Sequence, residues 1–180
     1  CLEIITLIFP QLKNISLFKN LNEYTKNNIT SQDFIFLISL MIIDETDNSE
    51  YFLYKFNISN EDKKRIRLLQ NVFSKLLDRK TFSEKNLWKM LYYNNKNHLN
   101  DLINFQIYRS KKIDKKLVKL KEFFRHQLPP KFNVKAKFLM EKFNLKEGKE
   151  LGQKIKEIEI AWINNSFKIT DKQVEKIING

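Results

Sequence analysis

The chain has 180 residues, 42% hydrophobic and 13% aromatic with fifteen phenylalanines, so it can build a core despite a charged fraction of 30% and a net charge of +12. Its single cysteine excludes an internal disulfide framework and a multi-cysteine zinc site and fits a reducing cytoplasm, with Cys1 read as a small buried thiol. The longest apolar run, residues 34–43 broken only by Ser39, is too short to span a bilayer, and the start lacks the basic region and cleavage site of a secretory signal.

No strand alternation or hairpin signal appears, while helix starts recur, which predicts an all-α chain: an irregular multi-helix array. Helices are expected at 2–8, 17–27, 31–43, 49–56, 60–78, 82–93, 97–109, 113–126, 136–143, 149–164 and 171–178. The chain opens on Cys1 in mid-pattern, with Ile4, Ile5, Leu7 and Ile8 close behind, which predicts a fragment or processed product. Residues 34–43 read as a buried helix. Residues 44–50 are acidic and rich in turn formers, so Asp44, Glu45 and Asp47 read as a solvated loop rather than a metal site. Ser59 before Asp62, Thr81 before Glu84 and Thr170 before Gln173 have the spacing at which a hydroxyl caps a helix, the last two as capping boxes.

A corner motif recurs three times, at Phe56-Asn57-Ile58-Ser59, Phe143-Asn144-Leu145-Lys146 and Phe167-Lys168-Ile169-Thr170. In each, the second residue is expected to turn through the left-handed region while the aliphatic residue tucks into the core. Pro129 and Pro130 bar a helix from running through, which predicts a helical body over 1–128 and a small helical tail over 129–180. Two of the three glycines, Gly148 and Gly152, stand where one periodic segment ends and the next begins. Gly148 is expected to permit the turn and to leave helix-start donors open to a phosphate, and Gly152 to let two helices pack closely.

Charge is unevenly placed. Residues 1–60 hold four Lys/Arg against seven Asp/Glu, whereas residues 111–146 hold twelve against three. A basic surface of that kind attracts polyanions, and nucleic acid is the commonest such partner. The predicted RNA-binding set is Lys111, Lys112, Lys115, Lys116, Lys119 and Arg125, with Lys131, Lys135 and Lys137 beyond the prolines and Gly148 at the helix start. On a helix from about 113, Lys112, Lys115, Lys116 and Lys119 share a face opposite Ile113, Leu117, Leu120 and Phe124. The plainer alternative is a solvated lysine face in a lysine-rich chain, which leaves the acidic first sixty residues unexplained. Phe132, Trp162 and Phe167 read as core first, as does Trp88 with Tyr92 and Tyr93. His98 and His126 lie far apart without a carboxylate at ligand spacing, and no catalytic motif is present.

Residues 129–171, and more loosely the whole chain, resemble the C-terminal helical part of the bacterial-type tRNA nucleotidyltransferase/poly(A) polymerase family, the CCA-adding enzymes. The resemblance rests on Phe132, Val134, Leu139, Met140, Leu145, Gly148, Leu151, Gly152, Trp162, Phe167 and Thr170, with Phe9-Pro10 resembling the start of the family's body domain. Ala136 and Phe138 stand where the family has Gly and Asp, and Asn144 where it has Gly. The resemblance implies a body and tail that hold the elbow and acceptor stem of tRNA. It implies that the catalytic head, which would take magnesium and CTP or ATP, precedes Cys1, so this chain carries no catalytic residue and no cofactor and is inactive alone. The expected partners are tRNA and, where the head is a separate product, that N-terminal catalytic chain, with no membrane. Two other readings stay open: an interaction module that docks a catalytic half through apolar surface near residues 1–9, and a helix-hairpin-helix DNA-binding module built on Gly148 and Gly152.

Overall fold

The computed structural model describes residues 2–75 and 81–180, so the thiol expected of Cys1 and the last residues of the helix expected at 60–78 lie outside the described residues. The fold is all-α. Among the described residues eleven α-helices run in order: α1 (Leu2–Ile8), α2 (Glu23–Asn28), α3 (Phe34–Ile42), α4 (Asn48–Lys55), α5 (Asn60–Lys75), α6 (Glu84–Tyr93), α7 (Lys96–Arg109), α8 (Lys115–Arg125), α9 (Ala136–Phe143), α10 (Lys149–Asn164) and α11 (Asp171–Asn179). No strand occurs among the described residues, and no helix among them is long and apolar enough to cross a membrane. The chain divides into two compact units, Cys1–Leu128 and Pro129–Gly180.

The first unit is organised around α7. Leu99, Leu102, Ile103, Phe105, Ile107 and Tyr108 are all buried, as are Asp101 and Asn104, so this helix is enclosed almost all round by α3, α5, α6 and α8. Helix α3, apolar on every side, supplies Phe36, Leu40 and Ile42 to the same core, where Phe36 meets Tyr108 edge to face with ring centroids 5.7 Å apart. At the C-terminus of α3 the Arg109 guanidinium donates to the Ile43 carbonyl at 2.8 Å and lies 4.6 Å from the Phe73 ring centroid. A cation there satisfies carbonyls that the helix leaves open.

Asparagine side chains act as clamps. Asn48 Nδ2 donates to the carbonyls of Gln11 (2.8 Å) and Ile42 (2.7 Å), and Asn14 Nδ2 to that of Ile43 (2.7 Å). Asn22 caps α2 by accepting from the Thr25 N–H at 2.9 Å, while its Nδ2 donates to the carbonyls of Ile107 (3.3 Å) and Ser110 (2.9 Å). That demand breaks the single helix expected at 17–27 into a 3-10 turn, Ile15–Lys19, and α2. The cap of α6 is Ser83, which accepts from the Asn86 N–H, rather than Thr81.

The second unit stacks α9, α10 and α11 around Leu139, Leu151, Ile158 and Val174. Thr170 and Gln173 form the expected capping box at the start of α11. The three corners do not share one geometry. Asn144 takes the left-handed turn at φ 54°, but Asn57 and Lys168 do not, and at the third corner Ser166 (φ 55°) and Phe167 (φ 62°) do instead. Phe167 is held there by its N–H donating to the Trp162 carbonyl at 2.8 Å and by edge-to-face packing on the Trp162 ring at 4.9 Å.

Candidate nucleic-acid interface

Helix α8 begins where Asp114 Oδ1 accepts from the N–H groups of Lys116 (2.9 Å) and Leu117 (3.0 Å). An acidic cap both satisfies two orphan donors and complements the positive helix end. Leu117 and Phe124 are buried against the core, which turns Lys115, Lys116 and Lys119 outward as one exposed face. None of these three lysines makes an ion pair among the described residues. Lys111 and Lys112 are exposed in the bend that leads into the helix, so Lys112 extends the basic surface without belonging to the helical face. Ile113 sits in that bend too and is exposed instead of buried. Arg125 closes the helix, exposed and 3.7 Å from Glu122. Phe123, one turn on from Lys119, is 44% exposed and packs its other side on Trp88, with ring centroids 6.2 Å apart. It places an apolar ring on a basic face, the combination on which bases stack while phosphates pair with lysines.

The ten predicted residues divide between the units, six in the first and four in the second. In the second, Lys131 lies in the extended segment after the prolines, Lys135 precedes α9, and Lys137 is on α9 with its ammonium 3.8 Å from Glu141. Gly148 occupies the position before α10 at φ 153°, a conformation that side-chain-bearing residues rarely adopt. Gly152 lies in the first turn of α10 with open space where a Cβ would stand, so it does not serve the close helix packing expected of it. The two glycines therefore predict opposite effects in urea unfolding of the tail. Gly148→Ala should destabilise it by about 1–3 kcal/mol through backbone strain, and Gly152→Ala should stabilise it by about 0.5–1 kcal/mol.

Beside α8 in the first unit lies a polar cleft of about 680 Å³, walled by α2, the start of α5, the N-terminal half of α7 and the end of α8. Arg65 sits in its wall as the hub of a charge triad. Its guanidinium donates to Asp33 at 2.7 and 2.9 Å and to Asp101 at 2.6 and 3.0 Å. The hydrogen bonds from Arg65 hold the Asp33 carboxyl below its ordinary range, and the two carboxylates raise the affinity of Arg65 for its proton. Asp101 is only 7% exposed, and burial pushes its carboxyl above the usual range against the pull of Arg65. Asn104, also in the wall, is 1% exposed, and its Oδ1 has no hydrogen-bond partner among the described residues. An orphaned buried acceptor costs about 1–3 kcal/mol.

Sequence reasoning placed Arg125 in the interface but missed the cleft and the aromatic Phe123. The run Asn95-Lys96-Asn97-His98 signals only the start of α7, where Asn95 caps the helix by accepting from the His98 N–H at 2.8 Å. No protein-family model, curated protein or solved structure matches this chain.

Proposed function

We propose that this chain is the RNA-binding helical body and tail of a tRNA 3′-end nucleotidyltransferase, a cytoplasmic module that grips folded tRNA and adds no nucleotide by itself. The observation that carries the reading is the exposed face of α8, on which Lys115, Lys116 and Lys119 make no ion pair among the described residues and stand beside Phe123 and behind Lys111 and Lys112. Clustered lysines of this kind displace counterions from a phosphate backbone, so affinity depends steeply on salt and weakly on sequence. The acidic first sixty residues support the same reading, because they confine the positive potential to part of the surface. The order and spacing of Phe132, Leu139, Gly148, Trp162 and Thr170 assign the nucleic acid to tRNA by resemblance.

The test replaces Lys115, Lys116 and Lys119 with alanine together and measures tRNA binding on filters from about 50 to 200 mM salt. All three residues are exposed, so the variant should fold as the parent does. Affinity at low salt should fall by roughly tenfold or more, and the slope of log affinity against log salt should flatten by about two to three units. Unchanged affinity and slope would remove α8 from the interface. A preference for duplex DNA over tRNA would favour the helix-hairpin-helix alternative.

A further inference from the structure

We infer that the aromatic ridge where α8 meets α6 takes one base from an unpaired stretch of the bound RNA, stacked on Phe123, so that this face prefers looped or single-stranded RNA to duplex. The inference rests on the RNA reading of α8 and adds to it the kind of RNA received.

Helix α8 sends Leu117 and Phe124 into the core, while Phe123 stays 44% exposed. Lys116, Lys119 and Phe123 follow one another at helical spacing, so they share one stripe of the helix. A lone exposed phenylalanine is ordinary on a protein surface. This one is distinguished by its mounting. Its ring meets Trp88 at 6.2 Å and 84° and Phe124 at 5.2 Å and 89°, both edge to face, and Trp88 meets Phe124 at 5.1 Å. The three rings hold one another, so Phe123 is ordered before a ligand arrives and binding loses less side-chain entropy.

Lysines stand on both helices of the ridge. Lys119 lies one turn before Phe123 on α8, and Lys85, exposed, one turn before Trp88 on α6. A turn is about 5.4 Å, within the reach of a lysine stem, so a base resting on Phe123 brings its own phosphate to an ammonium. The one carboxylate of α8, Glu122, lies 3.7 Å from Arg125. Shape and charge together decide between ligands. The exposed apolar area is a single ring among cations, too little for the apolar core of a protein interface. A duplex keeps its bases stacked on one another and presents phosphates, sugars and edges, whereas an unpaired base presents the π-face that Phe123 can use.

The test measures the full chain by fluorescence anisotropy against three RNA probes of one length: oligouridylate, which stays unstructured, the same strand annealed to oligoadenylate, and a strand of abasic ribose phosphates. The parent should bind oligouridylate about 5- to 150-fold more tightly than the abasic strand, which keeps the phosphates and lacks the bases. Phe123→Leu should remove that advantage, leave the abasic and duplex affinities in place and keep the salt slope, because it takes away no charge. Phe123→Tyr, which retains a ring, should preserve it. If Phe123→Leu fails to fold, Phe123→Met, an unbranched side chain that still packs on Trp88, carries the same expectation. Equal affinity of the parent for oligouridylate and the abasic strand would overturn the inference with no variant needed. A loss of duplex affinity as large as that of oligouridylate would overturn it too, since the ring would then support the lysine face and not a base. Unchanged oligouridylate affinity in Phe123→Leu, with all three probes weakened when Lys115, Lys116 and Lys119 are alanine, would sink the stacking and leave the α8 reading standing. No loss in that alanine variant would sink the α8 reading itself, and the inference with it.

Discussion

Arg65→Met should destabilise the first unit by about 3–5 kcal/mol, a large part of the total for a domain whose stability is of the order of 5–15 kcal/mol. The methionine keeps much of the apolar stem, so the loss is electrostatic. Asp101 is 7% exposed, and its two hydrogen bonds from Arg65 at 2.6 and 3.0 Å are what compensate its burial. Without them a carboxylate is left charged in a poorly solvated site. The pH dependence has a definite sign. An acid whose folded pKa is raised gives its proton up first in the unfolded state, so folding loses stability as pH climbs from the ordinary carboxylate value through the raised one. In the variant, Asp101, already raised, rises further, and the deficit relative to the parent should grow with pH and shrink on acidification. Asp33 adds to it. Its folded value is lowered in the parent, a contribution present above the ordinary carboxylate range and lost as pH falls through the folded value. Hydrogen exchange of α5 and α7 amides at pH 5 and 7.5 reads the Asp101 effect, since the Asp33 contribution is present in full at both values, about one unit or more above the ordinary carboxylate range. Adding Asp101→Asn should recover most of the loss, because no buried charge is then stranded. A single variant as stable as the parent would show that Arg65 does not hold Asp101.

Leu139→Ala should unfold the tail and leave the body intact. The tail spans residues 129–180, and at about 0.05–0.15 kcal/mol per residue a unit of that length is stable by only some 3–8 kcal/mol. Leu139 is fully buried at the centre of its core with Leu151, Ile158 and Val174. Truncating such a leucine costs about 2–5 kcal/mol in lost burial and cavity, which exhausts most of that margin. Amides of α9, α10 and α11 should lose their protection from exchange while those of α7, in the other core, keep theirs. Retained protection in α10 would show that the tail draws stability from beyond its own core.

How much of this was legible beforehand depends on how local each signal is. The capping box at Thr170 and Gln173 and the cap at Ser59, whose hydroxyl accepts from the Asp62 N–H at 3.1 Å, need only three residues of spacing, and both formed as expected. At α6 two hydroxyls, Thr81 and Ser83, competed within three positions, and spacing alone could not separate them. The break before α2 was hidden because its cause, the carbonyls of Ile107 and Ser110, lies more than eighty residues away. The same logic separates the face of α8 from the cleft beside it. The lysines of α8 are neighbours on one helix and could be read directly. The cleft assembles Tyr24, Gln32, Arg65, Asn104 and Lys121 from four helices and the turn before α3, and no window of sequence holds them together.

The fork of Asn22 has a consequence for synthesis on the ribosome. Among the groups that anchor the first forty-three residues, Arg65, Ile107, Arg109 and Ser110 are translated well after them, so the leading helices emerge before these moorings exist. Closing so long a loop is slow, and until residue 110 leaves the exit tunnel Phe36, Leu40 and Ile42 lack the part of their core that α7 supplies.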